Sequence, residues 1–379
     1  MEESVYCEVL KYNKWMLVMK VLHIVNSLVY GGAESLVTDM VRIQRDMGLE
    51  VAVLVLKDCE SGLKNKILSE GIPYIALSAN MSVYNPLHIF KIIKHISKYD
   101  IIHVHLFPSQ YWVGLANILS QNKHPIVTTE HSTSNRRRNY AILRMIDNFF
   151  YCHIYDMTIC CSDKAYDIFR INFPDAKSIS IPNGVDLNRI YVAEPIDLSH
   201  IIDDIENCFI VTMVARLAYP KRQDTVIEAL ALLPPDVYVI FVGGGDNSRI
   251  HDLKILAEKL GVLGRVCFLG VRDDVPSILK SSDVVVLSSE YEGLSLSSIE
   301  GMASGKPFVA TNVDGLREVV NNAGLLFECG DAKMLASLIS KLRSDSDLYQ
   351  KTIDRCMARA KEYDIEKMVL NYMKVYNSI

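Results

Sequence analysis

Short, nearly continuous apolar runs recur along the chain. Stretches whose apolar residues return every three or four positions separate them. Val21 to Val25, Val51 to Leu56, Ile72 to Leu77, Ile101 to His105, Ile126 to Thr129 and Met157 to Cys161 read as strands, with helical segments such as Pro86 to Ser97 between them. Runs that do not alternate with polar residues mark strands buried on both faces of a parallel sheet. The stretch Ile179-Ser180-Ile181-Pro182-Asn183-Gly184-Val185-Asp186 closes this half, and a polar, acidic linker follows to Asn207. The pattern then restarts. Strands are expected at Phe209 to Val214, Tyr238 to Val242, Val266 to Leu269, Val284 to Leu287, Phe308 to Thr311 and Leu325 to Phe327, and helices close the chain from about Lys333.

Two α/β halves in series predict two doubly wound, Rossmann-like domains facing across a cleft, with ligands at the carboxyl ends of the strands. The expected boundaries are 19–188 for the first domain and 189–362 for the second. Residues 363–379 read as a helix packing back on the first domain, and residues 1–18 as an extension. That extension is either disordered or untranslated, with the start at Met19.

The length of 379 residues supplies two cores of roughly 150 residues each. A net charge of −5 offers no general basic field for nucleic acid. The nine cysteines include no CxxC pair and no metal-ligand spacing, so core thiols in a reducing compartment are expected, among them Cys160 and Cys161. Glu2, Glu3, Lys20 and His23 spoil the N-terminal region as a signal peptide, and no run of 18 apolar residues is present. A cytoplasmic location with no membrane span is expected.

The densest chemistry lies in Ser288-Ser289-Glu290-Tyr291-Glu292-Gly293-Leu294-Ser295-Leu296-Ser297-Ser298-Ile299-Glu300, between a buried strand and a helix. Glu292 falls in the loop and Glu300 more than a turn into the helix. The helix start between them exposes free amides and the positive end of a dipole, which suit a diphosphate. Arg216 and Lys221, in Val214-Ala215-Arg216-Leu217-Ala218-Tyr219-Pro220-Lys221, flank another post-strand loop and could hold the same anion. Taken singly, each set is also what solvated loops and helix faces carry. Gly31-Gly32-Ala33-Glu34 and Gly243-Gly244-Gly245-Asp246 are strand-to-loop turns that let backbone approach a ligand, without the GxGxxG fingerprint of dinucleotide binding.

Together and in this order, these residues resemble family 4 of the retaining glycosyltransferases, which have the GT-B fold. The likeness runs from Met19 to about Tyr363. Glu292 and Glu300 resemble the family's E-x7-E motif, continuing Glu300-Gly301-Met302-Ala303-Ser304-Gly305-Lys306-Pro307, where the family usually has alanine for Gly301. Asp314-Gly315-Leu316-Arg317-Glu318 resembles Gly-Gly-x-x-Glu, with Asp314 for the first glycine, and Asn183-Gly184-Val185-Asp186 resembles the usual end of the first domain.

The resemblance implies an enzyme that takes a sugar from a UDP- or GDP-sugar, its substrate rather than a cofactor, to a glycan or lipid-linked acceptor in surface-polysaccharide synthesis. No metal is implied. Arg216 and Lys221 would hold the diphosphate, and Glu300 the ribose. Glu292, with the backbone of Gly293, Leu294, Ser295 and Leu296, would hold the transferred sugar. Gly31 and Gly32 would close on the sugar-phosphate, and His131 would lie near the transferred sugar. Of His103 and His105, on one strand, only one is expected to face the ligand, as part of an acceptor pocket.

Arg136-Arg137-Arg138 opens an apparent amphipathic helix with Ile142, Met145, Ile146, Phe149 and Phe150 on one side. That face suits either the core or the anionic inner membrane surface. A nucleotide-sugar epimerase of the same fold and a non-catalytic nucleotide-sugar-binding protein are the rival readings. A nicotinamide dehydrogenase lacks its fingerprint here.

Overall fold

The computed structural model describes residues 19–29, 31–121, 123–131, 137, 140–202 and 207–379. The two accounts of residues 1–18 concern a segment outside the described residues. The chain forms two compact units, one running to Gly184 and taking back Ile365–Ile379, the other Val185–Asp364.

The first unit holds a parallel seven-stranded sheet. Its strands are β1 (Lys20–Val25), β2 (Glu50–Val55), β3 (Tyr74–Ala76), β4 (Ile101–His105), β5 (Ile126–Glu130), β6 (Met157–Cys160) and β7 (Ser178–Ser180), in the order β3-β2-β1-β4-β5-β6-β7. Leu22, Ile24, Ile102, Val104 and Ile126 face one helical layer, where Ile92, Val113, Phe150 and Phe169 bury their side chains. Cys160 and Cys161 are buried in that core.

The opposite layer includes the helix Gly32–Asp46, which buries Leu36, Val37, Met40, Val41, Ile43 and Gln44 along one stripe. The C-terminal helix Ile365–Tyr376 packs against it through a stripe that includes Met368, Val369, Tyr372 and Tyr376. Both stripes follow the i, i+3, i+4 rule of a core-facing helix.

The second unit holds a parallel six-stranded sheet. Its strands are β8 (Phe209–Val214), β9 (Val237–Val242), β10 (Val266–Gly270), β11 (Val284–Leu287), β12 (Phe308–Thr311) and β13 (Leu325–Phe327), in the order β10-β9-β8-β11-β12-β13. One core cluster joins Val211, Met213, Phe241, Val285, Ile299 and Phe308 with Leu335 and Ile339 of the helix Ala332–Ser344. Gly301 stands where the resembled family usually has alanine, and packing accounts for the glycine. A Cβ at that position would lie 2.6 Å from the ring of Phe308, which fills the space.

Gly114, inside the helix Ser109–Leu119, makes a similar accommodation, because a Cβ there would come within 2.4 Å of the buried Phe150 ring. Alanine in place of glycine in a helix ordinarily gains about 1 kcal/mol, whereas overpacking a tight core costs about 1–3 kcal/mol. Gly114→Ala should therefore lower the melting temperature, as thermal unfolding followed by circular dichroism would record. A rise would show that the ring yields freely.

Candidate functional site

Each sheet reverses its order beside its first strand. In the second unit β9 and β10 extend the sheet from one side of β8, and β11, β12 and β13 from the other. Loops leaving the carboxyl ends of β8 and β11 therefore diverge, and ligands of open α/β sheets bind at such a point. Arg216 and Lys221 lie on the first of these loops, and Glu292 to Leu296 on and just beyond the second.

The first loop is fastened to its neighbour. Ala215 N–H donates to the Val242 carbonyl at 2.9 Å and Leu217 N–H to that of Gly244 at 2.8 Å. Gly243, at φ +140, has no room for a Cβ, which would lie 2.2 Å from the Ala215 carbonyl oxygen. Arg216 is exposed, and among the described residues its guanidinium has no hydrogen-bond or ion-pair partner.

A 3-10 turn, Tyr219–Lys221, then brings the chain to the second loop. Ser288 Oγ lies 2.9 Å and 2.8 Å from the carbonyl oxygens of Lys221 and Arg222, and Glu290 N–H donates to the Pro220 carbonyl at 2.8 Å. The side chains meet too. Lys221 Nζ donates to Glu292 Oε1 at 2.5 Å, and Ser289 Oγ donates to the same oxygen at 2.7 Å. Arg222 is engaged elsewhere, with Asp224 at 2.9 Å and Glu290 at 3.2 Å.

The second loop is backed by Gly315. At φ +82 it presses so closely on the loop that a Cβ would lie 2.0 Å from the Gly293 carbonyl oxygen and 2.3 Å from that of Glu292. The glycine retained from the Gly-Gly-x-x-Glu pattern is thus the one sterically required, while Asp314 pairs with Arg317 at 3.3 Å. Past Gly293 and Leu294, Ser295 is the N-cap of the helix Leu296–Ala303, and its carbonyl accepts from Ser298 Oγ at 2.6 Å. Glu300 sits half-buried in the second turn of this helix.

In the first unit, Gly31 is the N-cap of the helix Gly32–Asp46. A Cβ on Gly31 would meet the Glu34 carboxylate, and one on Gly32 nothing within 4 Å, so no packing among the described residues requires either glycine.

The histidines form a structure that spacing did not disclose. Residues two apart on a strand point the same way. His103 and His105 accordingly share one face, their ring centroids 4.0 Å apart, which corrects the expectation that only one of them could face a ligand. Both are buried, as is His23 across the β1–β4 pairing. His23 Nε2 lies 2.7 Å from Gln44 Oε1, His23 Nδ1 3.2 Å from His105 Nε2, and His105 Nδ1 3.1 Å from His131 Nε2. His103 bridges Tyr376 Oη at 2.6 Å and Thr129 Oγ1 at 2.7 Å. Burial holds all four rings neutral, lowering His23 and His131 to about 4 and His103 and His105 well below the ordinary value. The ligand atoms of His23, His103 and His105 lie within 4.8 Å of one another, yet each ring nitrogen of the three already has a hydrogen-bonding partner.

The basic and apolar helix is Ala141–His153. Arg136 and Arg138 lie outside the described residues. Arg137 is folded inward over the Phe107 ring and pairs with the buried Asp147 at 3.5 Å. Phe150 leaves the expected face for the core, whereas Ile142 at 74%, Met145 at 72% and Phe149 at 48% exposure, with Ile146, remain on the surface. A cavity of about 300 Å³ lined by Arg45, Glu50, Pro73 and Tyr99 opens at the amino-terminal edge of the first sheet, away from the loops described above.

Residues 200–359 match the family model described as glycosyl transferases group 1, and residues 30–189 that of glycosyltransferase family 4. An Escherichia coli UDP-Gal:alpha-D-GlcNAc-diphosphoundecaprenol alpha-1,3-galactosyltransferase is 30% identical over 69% of this chain and 70% of its own. A phosphatidyl-myo-inositol mannosyltransferase of Mycolicibacterium smegmatis is 29% identical over 92% and 90%. Among solved structures, Anabaena HepE in complex with UDP and glucose has a TM-score of 0.83 at 24% identity, covering 95% of this chain and 100% of that one, a likeness of fold. No helix among the described residues is long and apolar enough to cross a membrane.

The neutral histidines make stability depend on pH. Their folded values lie below the unfolded value of 6.5, so unfolding takes up protons in mild acid. Their contribution is complete above pH 6.5 and falls as the pH drops toward 4. His23 alone should cost about 2 kcal/mol of stability at pH 5 relative to pH 8. Urea denaturation at the two pH values checks this, and an unchanged midpoint would show that the rings titrate normally.

Proposed function

Because the chain belongs to family 4 of the glycosyltransferases, with their GT-B fold, we propose that it moves a sugar from a UDP- or GDP-sugar to a glycan or lipid-linked acceptor, with retained configuration and without a metal. Surface-polysaccharide synthesis is the setting. The names of the relatives support this, one acting from UDP-Gal on a diphosphoundecaprenol-linked sugar and another, WclY of Escherichia coli, described as an O-antigen biosynthesis glycosyltransferase.

The observation that carries the reading is the meeting of Lys221, on the loop that also bears Arg216, with Ser289 and Glu292, at the point where the order of the second sheet reverses. Lys221 is neutralised by a single carboxylate. A diphosphate offers more negative charge than Glu292 does, and takes over the ammonium. Glu292 is then released to accept hydrogen bonds from the hydroxyls of the transferred sugar. Arg216, which has no anion to hold among the described residues, takes the other phosphate. The backbone from Gly293 to Leu296 adds helix-end amides, and Glu300 takes the ribose hydroxyls. From the first unit, Gly31, Gly32 and His131 are assigned to the sugar-phosphate side of the donor.

Glycosyl transfer proceeds through an oxocarbenium-like state while the nucleoside diphosphate departs with growing charge. Arg216, Lys221 and the helix-end amides stabilise that charge. The acceptor attacks from the face the diphosphate leaves, and the leaving phosphate oxygen takes the acceptor's proton.

The exposed apolar ridge of Ile142, Met145, Ile146 and Phe149 suits peripheral binding to the inner membrane surface, where a lipid-linked acceptor would reside. Its one buried acid, Asp147, is turned away from that ridge, and Arg144 is exposed beside it.

Arg216→Ala and Lys221→Ala should each slow transfer at least about tenfold to a hundredfold, since a charge-assisted hydrogen bond contributes about 1.5–3 kcal/mol. Initial rates measured with UDP- and GDP-sugars check this, and wild-type rates in both variants would remove the assignment. Liposome flotation tests the ridge. The protein should float with phosphatidylglycerol vesicles, and Met145→Glu combined with Phe149→Glu should leave it at the bottom. No flotation of the wild type would end the membrane proposal.

A further inference from the structure

The four histidines, Gln44 and Tyr376 form a hydrogen-bonded chain with a direction. A neutral imidazole donates from one nitrogen and accepts at the other. Fixing the proton at one end therefore fixes it at every ring along the line.

The fixed end is Tyr376. Its Oη lies 2.6 Å from His103 Nδ1 and 3.2 Å from Gln44 Nε2. A phenol hydroxyl is a far stronger acid than a neutral imidazole N–H, and an imidazole nitrogen a far stronger base than a phenol oxygen. Tyr376 thus donates its proton to His103 Nδ1, and His103 Nε2–H donates to Thr129 Oγ1 at 2.7 Å. With its hydrogen committed, the Tyr376 oxygen is an acceptor, and the amide of Gln44 turns its NH2 toward it. Gln44 Oε1 then faces His23 and accepts from His23 Nε2–H at 2.7 Å. His23 Nδ1 becomes the acceptor for His105 Nε2–H at 3.2 Å, and His105 Nδ1 the acceptor for His131 Nε2–H at 3.1 Å. His131 is left with a bare lone pair at Nδ1, a buried atom with no hydrogen-bond partner among the described residues.

We propose that Tyr376 and Gln44, acting through His23 and His105, are positioning residues that hold His131 in its Nε2–H tautomer, so that His131 Nδ1 presents an acceptor to a hydroxyl of the donor sugar. The proposal rests on the assignment of His131 to the donor. Burial supports it, because rings that stay neutral cannot become double donors and break the line. The C-terminal helix thereby acts on the site from Tyr376, through Gln44 of a helix that follows the Gly31-Gly32 turn.

Nitrogen NMR of the full chain with labelled histidine tests this directly, since a protonated and an unprotonated ring nitrogen resonate far apart. His131 is identified by the signal lost in His131→Asn. In the wild type at pH 7, Nε2 of His131 should carry the proton and Nδ1 should be bare. Tyr376→Phe frees the Gln44 amide to turn, and Gln44→Met removes the acceptor at His23. In each, the His131 signals should move toward a mixture of tautomers, and kcat should fall severalfold while the KM for the nucleotide sugar stays within about twofold. The tautomer of His131 in the wild type needs neither variant, so the proposal stays decidable even if both are unstable.

A proton on Nδ1 in the wild type, or an unchanged His131 in both Tyr376→Phe and Gln44→Met, would overturn the proposal. So would a shift of the His23, His103 and His105 nitrogens on adding zinc, which would make the cluster a metal site. The assignment of His131 to the donor fails separately, if His131→Asn transfers sugar at the wild-type rate while the tautomers respond as stated.

Discussion

The constraint from which the rest follows is the reversal of strand order beside β1 and β8. A parallel strand with crossovers leaving to both sides must send its own loop one way and its neighbour's loop the other. Side chains placed on those loops converge at the carboxyl edge without occupying the hydrophobic core. In the second unit this brings the loop of Arg216 and Lys221 against the loop of Glu292, although 71 residues separate the bonded pair. Small residues make the approach close enough. Gly243 and Gly315 each lie where a Cβ would collide with the backbone of a neighbouring loop. The hydroxyls of Ser288 and Ser289 then fasten the two loops at both backbone and side-chain level.

The two units use polar groups differently at this edge. In the second, charge is exposed or half-buried, and the one pair across the loops, Lys221 with Glu292, can be exchanged for other charge at modest cost. In the first, the histidine cluster is inside and neutral, and every bond among His23, His103, His105, Gln44 and Tyr376 is made between uncharged partners. A buried network of this kind is stable only when each member is satisfied, which makes it a rigid support rather than a reservoir of charge. The return of the chain at Ile365–Tyr376 is what completes it, because Tyr376 caps both Gln44 and His103.

Much of this was legible in the sequence. The continuous apolar runs located the strands, and the ordered set of Arg216, Lys221, Glu292 and Glu300 located the loops of the second unit. The direct bond between Lys221 and Glu292 was not legible, since two loops far apart in sequence meet only through the crossover topology. The histidine network was hidden for a related reason. Its members come from two strands, the residue after a third, and two helices, and Gln44 lies in the apolar stripe of its helix, where a polar residue reads as an irregularity. The reading of His103 and His105 failed on the pleat itself. The ridge on Ala141–His153 was visible as amphipathic, but only packing could decide that Phe150 turns inward and Ile142 and Met145 outward.

The central claim is that the nucleoside diphosphate lodges where the loops after β8 and β11 meet. Hydrogen exchange followed by mass spectrometry, with and without saturating UDP, tests it most directly. The account predicts protection concentrated in residues 215–222 and 289–300, with the amino-terminal edge of the same sheet unchanged. Protection confined to that opposite edge, or to segments away from both loops, would contradict it.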